Sequence, residues 1–337
     1  MPQDANTASQ GKAQPRPKAR PNAVSWPLFT TPQPIKRLFD KFPLYTYPPN
    51  ELPERTAQHR DQNVLYLFTG DDGAHRGLPS FNPGCLKWQA YLKFRNIPFV
   101  TVSSNNHASP NGALPFLLPA SSSASPLDVP SPVSSQRIQR WTQDTIAKRK
   151  GKKNSSNLSN EELKHEEPGA EATPLTEDST RSDPSDMRYE AYLSLLDHRI
   201  RNAYLYSLYL APLNFNAVAF PLYIAPSTTN TLVRLSLAHQ LRAAAEGELT
   251  KQSPRIDVEA IYQGSDKAFG ALSELLGDED YYFGERKPGL FDASVFAYTN
   301  TLLDEDLGWR DFRVVDGLRR YSNLVEHRER IFEAYFE

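Results

Sequence analysis

One cysteine, two methionines and no long apolar run mark this 337-residue sequence, and each shortage closes off a class of protein. A single thiol, Cys85, excludes an intrachain disulfide and favours a reducing compartment. The seven histidines form no HxxH, HxH or HExxH pattern, and one cysteine gives no CxxC, so no metal site is expected. GxGxxG, P-loop and GxSxG motifs are missing as well, which removes the common nucleotide and hydrolase signatures. Charge of either sign is not in excess: 38 basic and 40 acidic residues leave a net charge of −2. That balance gives no general electrostatic case for nucleic acid or an anionic membrane. The most apolar stretch, APLNFNAVAFPLYIAP (211–226), is interrupted by Pro212 and Pro221 and falls short of the roughly 20 apolar residues of a membrane span. The N-terminus lacks the apolar core of a secretory signal, and its prolines spoil the amphipathic helix of a mitochondrial presequence. Any membrane association is therefore expected through partners.

What the chain does have is proline, 28 residues of it, with a mean hydropathy of −0.58, so part of the length is expected to be unpacked. Residues 1–22 read as a disordered tail. In 23–62 the prolines are mixed with Trp26, Leu28, Phe29, Phe39, Phe42, Tyr45 and Tyr47, an aromatic arm with room for one short helix near Ile35–Lys41. Such an arm either wraps its own domain or docks on a partner, since aromatics are enriched in both settings. Trp26, Phe29, Phe39, Phe42, Tyr45 and Tyr47 are the candidate partner-binding residues.

The organising stretch is Val64 to Leu118. VLYLF (64–68) is a short apolar strand, followed by the polar loop TGDDGAHRGLPSF and then NPGCLKWQAYLKFRNIPFVTV. Asn82 suits the N-cap and Pro83 the first helical position, where a missing N–H costs nothing. Leu86, Ala90, Phe94 and Ile97 make one stripe, widened by Trp88, Tyr91 and Leu92, with Lys87, Lys93 and Arg95 left for water. Pro98 is expected to stop the helix, and Phe99, Val100 and Val102 to form a parallel strand buried on both faces. Pro115, in GALPFLLP, belongs at the first residue of a further strand, where a cis bond is plausible. Ser134 or Ser135 then caps a short helix carrying Ile138 and Trp141. Strand, helix, strand and a strand entered through a proline is thioredoxin-like order, and 63–146 is assigned to such a domain.

Residues 147–186 lose nearly every aliphatic residue and read as a disordered insertion, KRKGKK followed by an acidic block. KRKGKK is a solvated linker or a nuclear-import patch. From 187 to 337 the pattern is helical. Tyr189, Leu193, Leu196, Ile200, Ala203, Ser207 and Leu210 recur at three- or four-residue spacing, with Asp186 as cap. Further helices are predicted at Asn230–Glu246, Asp257–Leu276, Phe291–Leu303 and Arg313–Tyr335. The expected fold is thus α/β plus all-α: a thioredoxin-like domain followed by a helical domain, the glutathione-transferase architecture.

Catalysis on that fold needs a hydroxyl or thiol just after the first strand. Cys85, in the first helical turn, is the one thiol that offers itself, and a glutathione-dependent transferase or thiol reductase using Cys85 is the enzymatic alternative. The opposing reading makes Cys85 a small packed residue beside Trp88. The long acidic loop, and a serine pair lacking the acidic residue that glutathione-binding members place before their serine, favour packing. Asp197-His198 looks like a dyad, but neighbours on a helix point about 100° apart. Asp292 is a structural residue, half of a capping box whose hydroxyl position is taken by Gly289.

FNPGCLKWQAYLKFRNIPF, GALPFLLP, VSSQRIQRW, YEAYLSLLDHRIRNAYLY and DYYFGERKPGLFDASVFAY together resemble the metaxin family of transferase-like proteins. The arm FDKFPLYTYPPNELP is similar to that of fungal members of the mitochondrial sorting and assembly machinery, the SAM complex. The resemblance covers most of 26–337 outside the insertion. It implies no catalysis, no cofactor, and a peripheral subunit on the cytosolic face of the mitochondrial outer membrane. The implied partners are an outer-membrane β-barrel assembly subunit, a second metaxin-like subunit and β-barrel precursor proteins, with no nucleic acid.

Overall fold

A computed structural model describes residues 61–121, 131–158, 187–251 and 254–337. The described residues all lie within one compact unit, Leu52–Glu337. The tail, the six arm aromatics, Asp186 as a cap and the acidic part of the insertion lie outside the described residues.

The sheet is built from β1 (Asn63–Leu67), β2 (Phe99–Ser103), β3 (Phe116–Leu118) and β4 (Val133–Ser134), in the order β2-β1-β3-β4. β1 and β2 are parallel, with Leu65 opposite Thr101, whereas β3 is antiparallel to both β1 and β4. β4 takes Ser134, so the next helix starts at Ser135. Leu65 and Leu67 of β1, with Leu117 of β3, point to one face and pack on Cys85, Leu92, Ile97 and Ile138.

Four local expectations change. The loop after β1 contains a short helix, α1 (Asp71–Arg76), with acids in its first turn, His75 and Arg76 in its last, and Gly77 left-handed at φ 68°. Those are ordinary end signals for a helix, and they were legible. α2 (Pro83–Phe94) ends before Pro98. Asn96 at φ 50° turns the chain, Ile97 N–H donates to Leu92 O at 3.0 Å and Asn96 N–H to Lys93 O at 3.0 Å, a Schellman cap that satisfies the last carbonyls without the proline. β2 is parallel as expected but lies at the sheet edge, so Val100 and Val102 are 42% and 36% exposed. α3 (Ser135–Leu158) runs past the expected boundary at 146 and through KRKGKK. Lysine and arginine are good helix formers, and a helix already nucleated at its packed end around Ile138 propagates through them without an apolar face of its own.

The helical part comprises α4 (Met187–Leu210), α5 (Pro212–Ser227), α6 (Thr231–Leu249), α7 (Val258–Leu276), α8 (Leu290–Leu303), α9 (Arg313–Arg319) and α10 (Ser322–Tyr335). Asn230 caps α6 by accepting from Leu232 N at 2.9 Å, and Asp257 caps α7 by accepting from Ala260 N at 3.0 Å. The single helix expected over Arg313–Tyr335 is two, because Tyr321 is extended (φ −110°, ψ 89°) and its hydroxyl donates to Asp266 O at 3.2 Å. α5 is the apolar stretch 211–226. No single described helix is long and apolar enough to cross a membrane, though α4 and α5 pass that test as a pair bent by 65°. Much of their apolar surface is spent internally: Leu196, Ile200, Leu208, Phe215, Val218 and Ile224 belong to the main core.

The sheet and the helices share a second core. Leu86, Ala90, Tyr91 and Phe94 of α2 pack on Ala293, Phe296 and Ala297 of α8 and on Ile331 and Phe336. Lys93, expected in water, instead donates to Tyr335 O at 2.7 Å and lies over the Phe336 ring at 4.6 Å. Alanine at 293 and 297 lets the helices approach closely. Ala293→Leu is therefore expected to destabilise the protein by about 1–3 kcal/mol through overpacking. Urea denaturation measures this, and an unchanged midpoint would contradict the close approach.

Candidate functional site

The position at which a transferase-like fold does chemistry lies between the start of α2 and the turn into β3. Asn82 caps α2, its Oδ1 accepting from Cys85 N at 3.2 Å while its Nδ2 donates to the Tyr223 hydroxyl at 3.1 Å. Pro83 occupies the first helical position, and Leu114-Pro115 is cis immediately before β3. These three sequence-selected residues come together around one place. A cleft of about 210 Å³ opens there between the sheet half and the helical half, lined by Lys87, Trp88, Pro115, Ser135, Asp197 and Arg201 among others. Burial lowers the pKa of the Lys87 ammonium, and the nearby Asp197 carboxylate opposes that shift. Asp197 lines this cleft and His198 another beside Ile256 and Asp257, and the two also line a third cleft together, with Glu248 and Lys251.

Cys85 is fully enclosed, at 0% exposure. Burial pushes its thiol up to about 12, and hydrogen bonds with the Phe68 backbone and the Ser80 side chain offset only part of the rise. A nucleophilic cysteine needs the thiolate at neutral pH and a path for its substrate, and Cys85 has neither. The loop that encloses it is held by Gln89, a buried α2 residue that sequence reasoning missed. Its Oε1 accepts from Ser80 N at 2.9 Å and its Nε2 donates to Leu78 O at 2.8 Å. A glutamine inside an otherwise apolar helical stripe was the available signal.

Asp292 does what half a capping box can do. Its Oδ2 accepts from Gly289 N at 2.8 Å and its Oδ1 from Tyr282 N at 3.0 Å, with His327 Nε2 also at 3.0 Å. Asp292 and His327 are 2% and 0% exposed, so the pair is internal and fixes the start of α8 against α10. Nothing in the sequence paired His327 with it, because the two belong to different helices. Among the described residues no group of three His, Cys, Asp or Glu side chains could hold a metal ion.

The other feature is the outer side of the sheet. β2 has β1 on one side and no described strand on the other. Thr101 and Ser103 are tied down by their hydroxyls, donating to Ala74 O at 2.6 Å and Thr69 O at 2.7 Å. Val100 and Val102 alternate with them and face water. A cleft of about 460 Å³ lies beside the strand, lined by His75, Arg76, Lys93, Phe99, Val100 and Thr101 among others. No charge, proline or bulge interrupts FVTVS, so the strand lacks those sequence devices against strand addition, although α1 and the loop before it pack against it through Thr101 and Ser103.

Known proteins bear on both features. A glutathione S-transferase N-terminal domain profile matches residues 83–168 and a glutathione S-transferase C-terminal domain profile matches 265–331. The class is therefore a glutathione-transferase-like protein. A third profile, described as SAM35, subunit of the SAM complex, matches 29–89, spanning the aromatic arm, β1 and the first half of α2. Together the three matches are consistent with a metaxin-like SAM35 subunit. No curated protein matches it. Similar solved structures include the glutathione S-transferase of Methylobacterium radiotolerans in complex with glutathione sulfonate, with 16% identity, 80% of this chain and 90% of that chain covered, and TM-score 0.36. Others are the glutathione transferase GSTFuA3 of Phanerochaete chrysosporium (12%, 79% and 98%, TM-score 0.43) and FzlA of C. crescentus (13%, 80% and 87%, TM-score 0.39). Similarity of this degree says nothing about activity.

The enclosed thiol has a measurable consequence. Because its folded pKa of about 12 exceeds the ordinary 9.0, the folded state disfavours the thiolate. The corresponding stability is present below the unfolded pKa and is lost as pH rises toward the folded one. Cys85→Ala is expected to lose less stability than the parent between those two values, and native Cys85 to resist thiol reagents until the chain unfolds. Rapid labelling of the native protein would refute the enclosure.

Proposed function

We propose that this protein is a non-catalytic, peripheral subunit of the SAM complex on the cytosolic face of the mitochondrial outer membrane. There it helps to receive the sorting signal of β-barrel precursors and supports their insertion. The observation that carries the reading is the SAM35 profile over residues 29–89, which ends inside the helix whose thiol is enclosed. A buried Cys85 supports a subunit that has kept the transferase-like fold as a scaffold rather than as an enzyme.

A sorting signal is an amphipathic strand. A strand can be held without chemistry by main-chain hydrogen bonds to an open sheet edge, with alternate side chains supplying selectivity. β2 is the candidate receiving edge, and the basic side chains of the adjoining cleft, His75 and Arg76, suit a strand that carries a carboxylate. The arm residues Trp26, Phe29, Phe39, Phe42, Tyr45 and Tyr47 are the proposed contact with the β-barrel subunit, with a second metaxin-like subunit as the other partner.

Two measurements test this. Charges on an edge strand oppose strand addition, so Val100→Lys with Val102→Lys should weaken binding of a β-barrel precursor's terminal strand by about tenfold, roughly 1.4 kcal/mol. Co-purification with the complex should persist, and unchanged precursor binding would remove β2 from the mechanism. Deleting residues 26–50 should release the β-barrel subunit on purification from gently solubilised mitochondria, and retention of the barrel would sink the role of the arm.

A further inference from the structure

The cleft beside β2 has one sign of charge. Among the described residues that line it, His75, Arg76 and Lys93 are basic and none is acidic. These cations meet in space from two elements, His75 and Arg76 from the last turn of α1 and Lys93 from the last turn of α2. The negative ends of the two helices do not cancel them, because the carbonyls there are already occupied. Ala74 O accepts from Gly77 N at 3.2 Å and from the Thr101 hydroxyl at 2.6 Å, and Gly73 O accepts from Leu78 N at 2.9 Å. Lys93 O and Leu92 O accept from Asn96 N and Ile97 N, each at 3.0 Å. Lys93 is itself committed to Tyr335 O. His75 and Arg76 are then the cations that can turn to a ligand, since the pairing of Arg76 with Asp72 is long, 3.5 Å, and exposed.

The cleft also gives the edge a direction. It takes in Ile97, Pro98 and the first three residues of β2, Phe99, Val100 and Thr101, but neither Val102 nor Ser103. Ser104 N donates to Leu67 O at 3.0 Å, toward β1. Backbone groups alternate along a strand, so those of Val100 and Val102 also turn to β1, and those of Phe99, Thr101 and Ser103 turn outward. A strand that pairs with these and ends in the cleft runs from Ser103 toward Phe99, against the direction of β2. Run the other way, its preceding residues would lie beside Pro98, which has no N–H to give, and the end of α2.

Taking β2 as the receiving edge, a reading on which this step rests, we propose that the edge receives a strand by its end. The free terminal carboxylate sits with His75 and Arg76, and the residues before it pair antiparallel with β2. Main-chain pairing along an edge and capture of a terminal carboxylate are both established ways to hold a peptide, and a guanidinium matches a carboxylate in shape as well as charge. The substrate class is thereby narrowed to the carboxy-terminal strand of a precursor. An internal strand can carry the same alternation of side chains, but it has no terminal charge to place in the cleft.

Binding of a labelled peptide to the purified full chain tests this. The peptide, about ten residues long, copies the last strand of a β-barrel precursor, with its carboxylate free or amidated. Fluorescence anisotropy should show the free acid binding at least about tenfold more tightly than the amide, a gap that narrows as salt is raised. His75→Gln with Arg76→Gln should weaken the free acid by about that factor and leave the amide unchanged, so that the two bind alike. The melting temperature should hold, both side chains being exposed. A photoreactive group on the last residue should crosslink to 97–100, and one placed four residues earlier should crosslink near Ser103. Equal binding of acid and amide by the parent overturns the carboxylate site, and the reverse crosslinking pattern overturns the antiparallel placement; either result leaves β2 as the receiving edge. If neither peptide binds, or the crosslinks fall away from β2, the reading of β2 itself fails and the end-first placement with it.

Discussion

The described structure depends on α2 being buried from opposite sides. One side of it, through Cys85 and Leu92, completes the core of the sheet; the other, through Leu86, Ala90, Tyr91 and Phe94, packs on α8 and α10. Trp88 touches both groups. A helix in that position cannot shift toward one half without opening the other, so the sheet and the helical bundle form a single compact unit. The small side chains at Ala90, Ala293 and Ala297 make the approach possible, and their replacement by larger ones would need the two halves to separate.

That constraint bears directly on chemistry. A thiol in the first turn of a helix is favoured as a thiolate only if the helix start meets solvent or a charged ligand. Here the start of α2 is closed by the loop that Gln89 pins and by the ring of Tyr223, which stands edge-on to Phe68 and Phe81. Burial therefore dominates the helix dipole, and the thiol is held protonated. What remains of the interdomain cleft carries Lys87, Asp197 and Arg201 but no exposed thiol.

With the interior given to packing, the distinctive chemistry of the molecule is on its outside. The open β2 edge and the start of α6 are both places where a physical rule is left unmet: an edge strand without charge or proline, and an apolar stripe without a core to face. Each belongs to an element whose other side is well packed. Thr101 and Ser103 anchor β2 while Val100 and Val102 stand free, and Leu241 anchors α6 while Leu232 and Leu235 stand free.

The sequence by itself determined what depends on neighbours along the chain. Asn82 and Pro83 announced the start of α2, Asp257 that of α7 and Asn230 that of α6, because a cap and the N–H groups it satisfies lie within a few residues of each other. Pro115 at a strand entry and Asp292 as half a box were legible for the same reason. Gly77 and Asn96, at the ends of α1 and α2, are equally local signals. Only the tertiary structure decided the rest. Whether β2 was central or at the edge, whether Lys93 met water or the Phe336 ring, and whether Cys85 was open or enclosed each turned on residues far away in sequence. Asp292 and His327 met because two helices crossed, and no periodicity in either one records the other. Burial and pKa are sums over everything nearby in space, whereas a sequence shows only what is nearby along the chain.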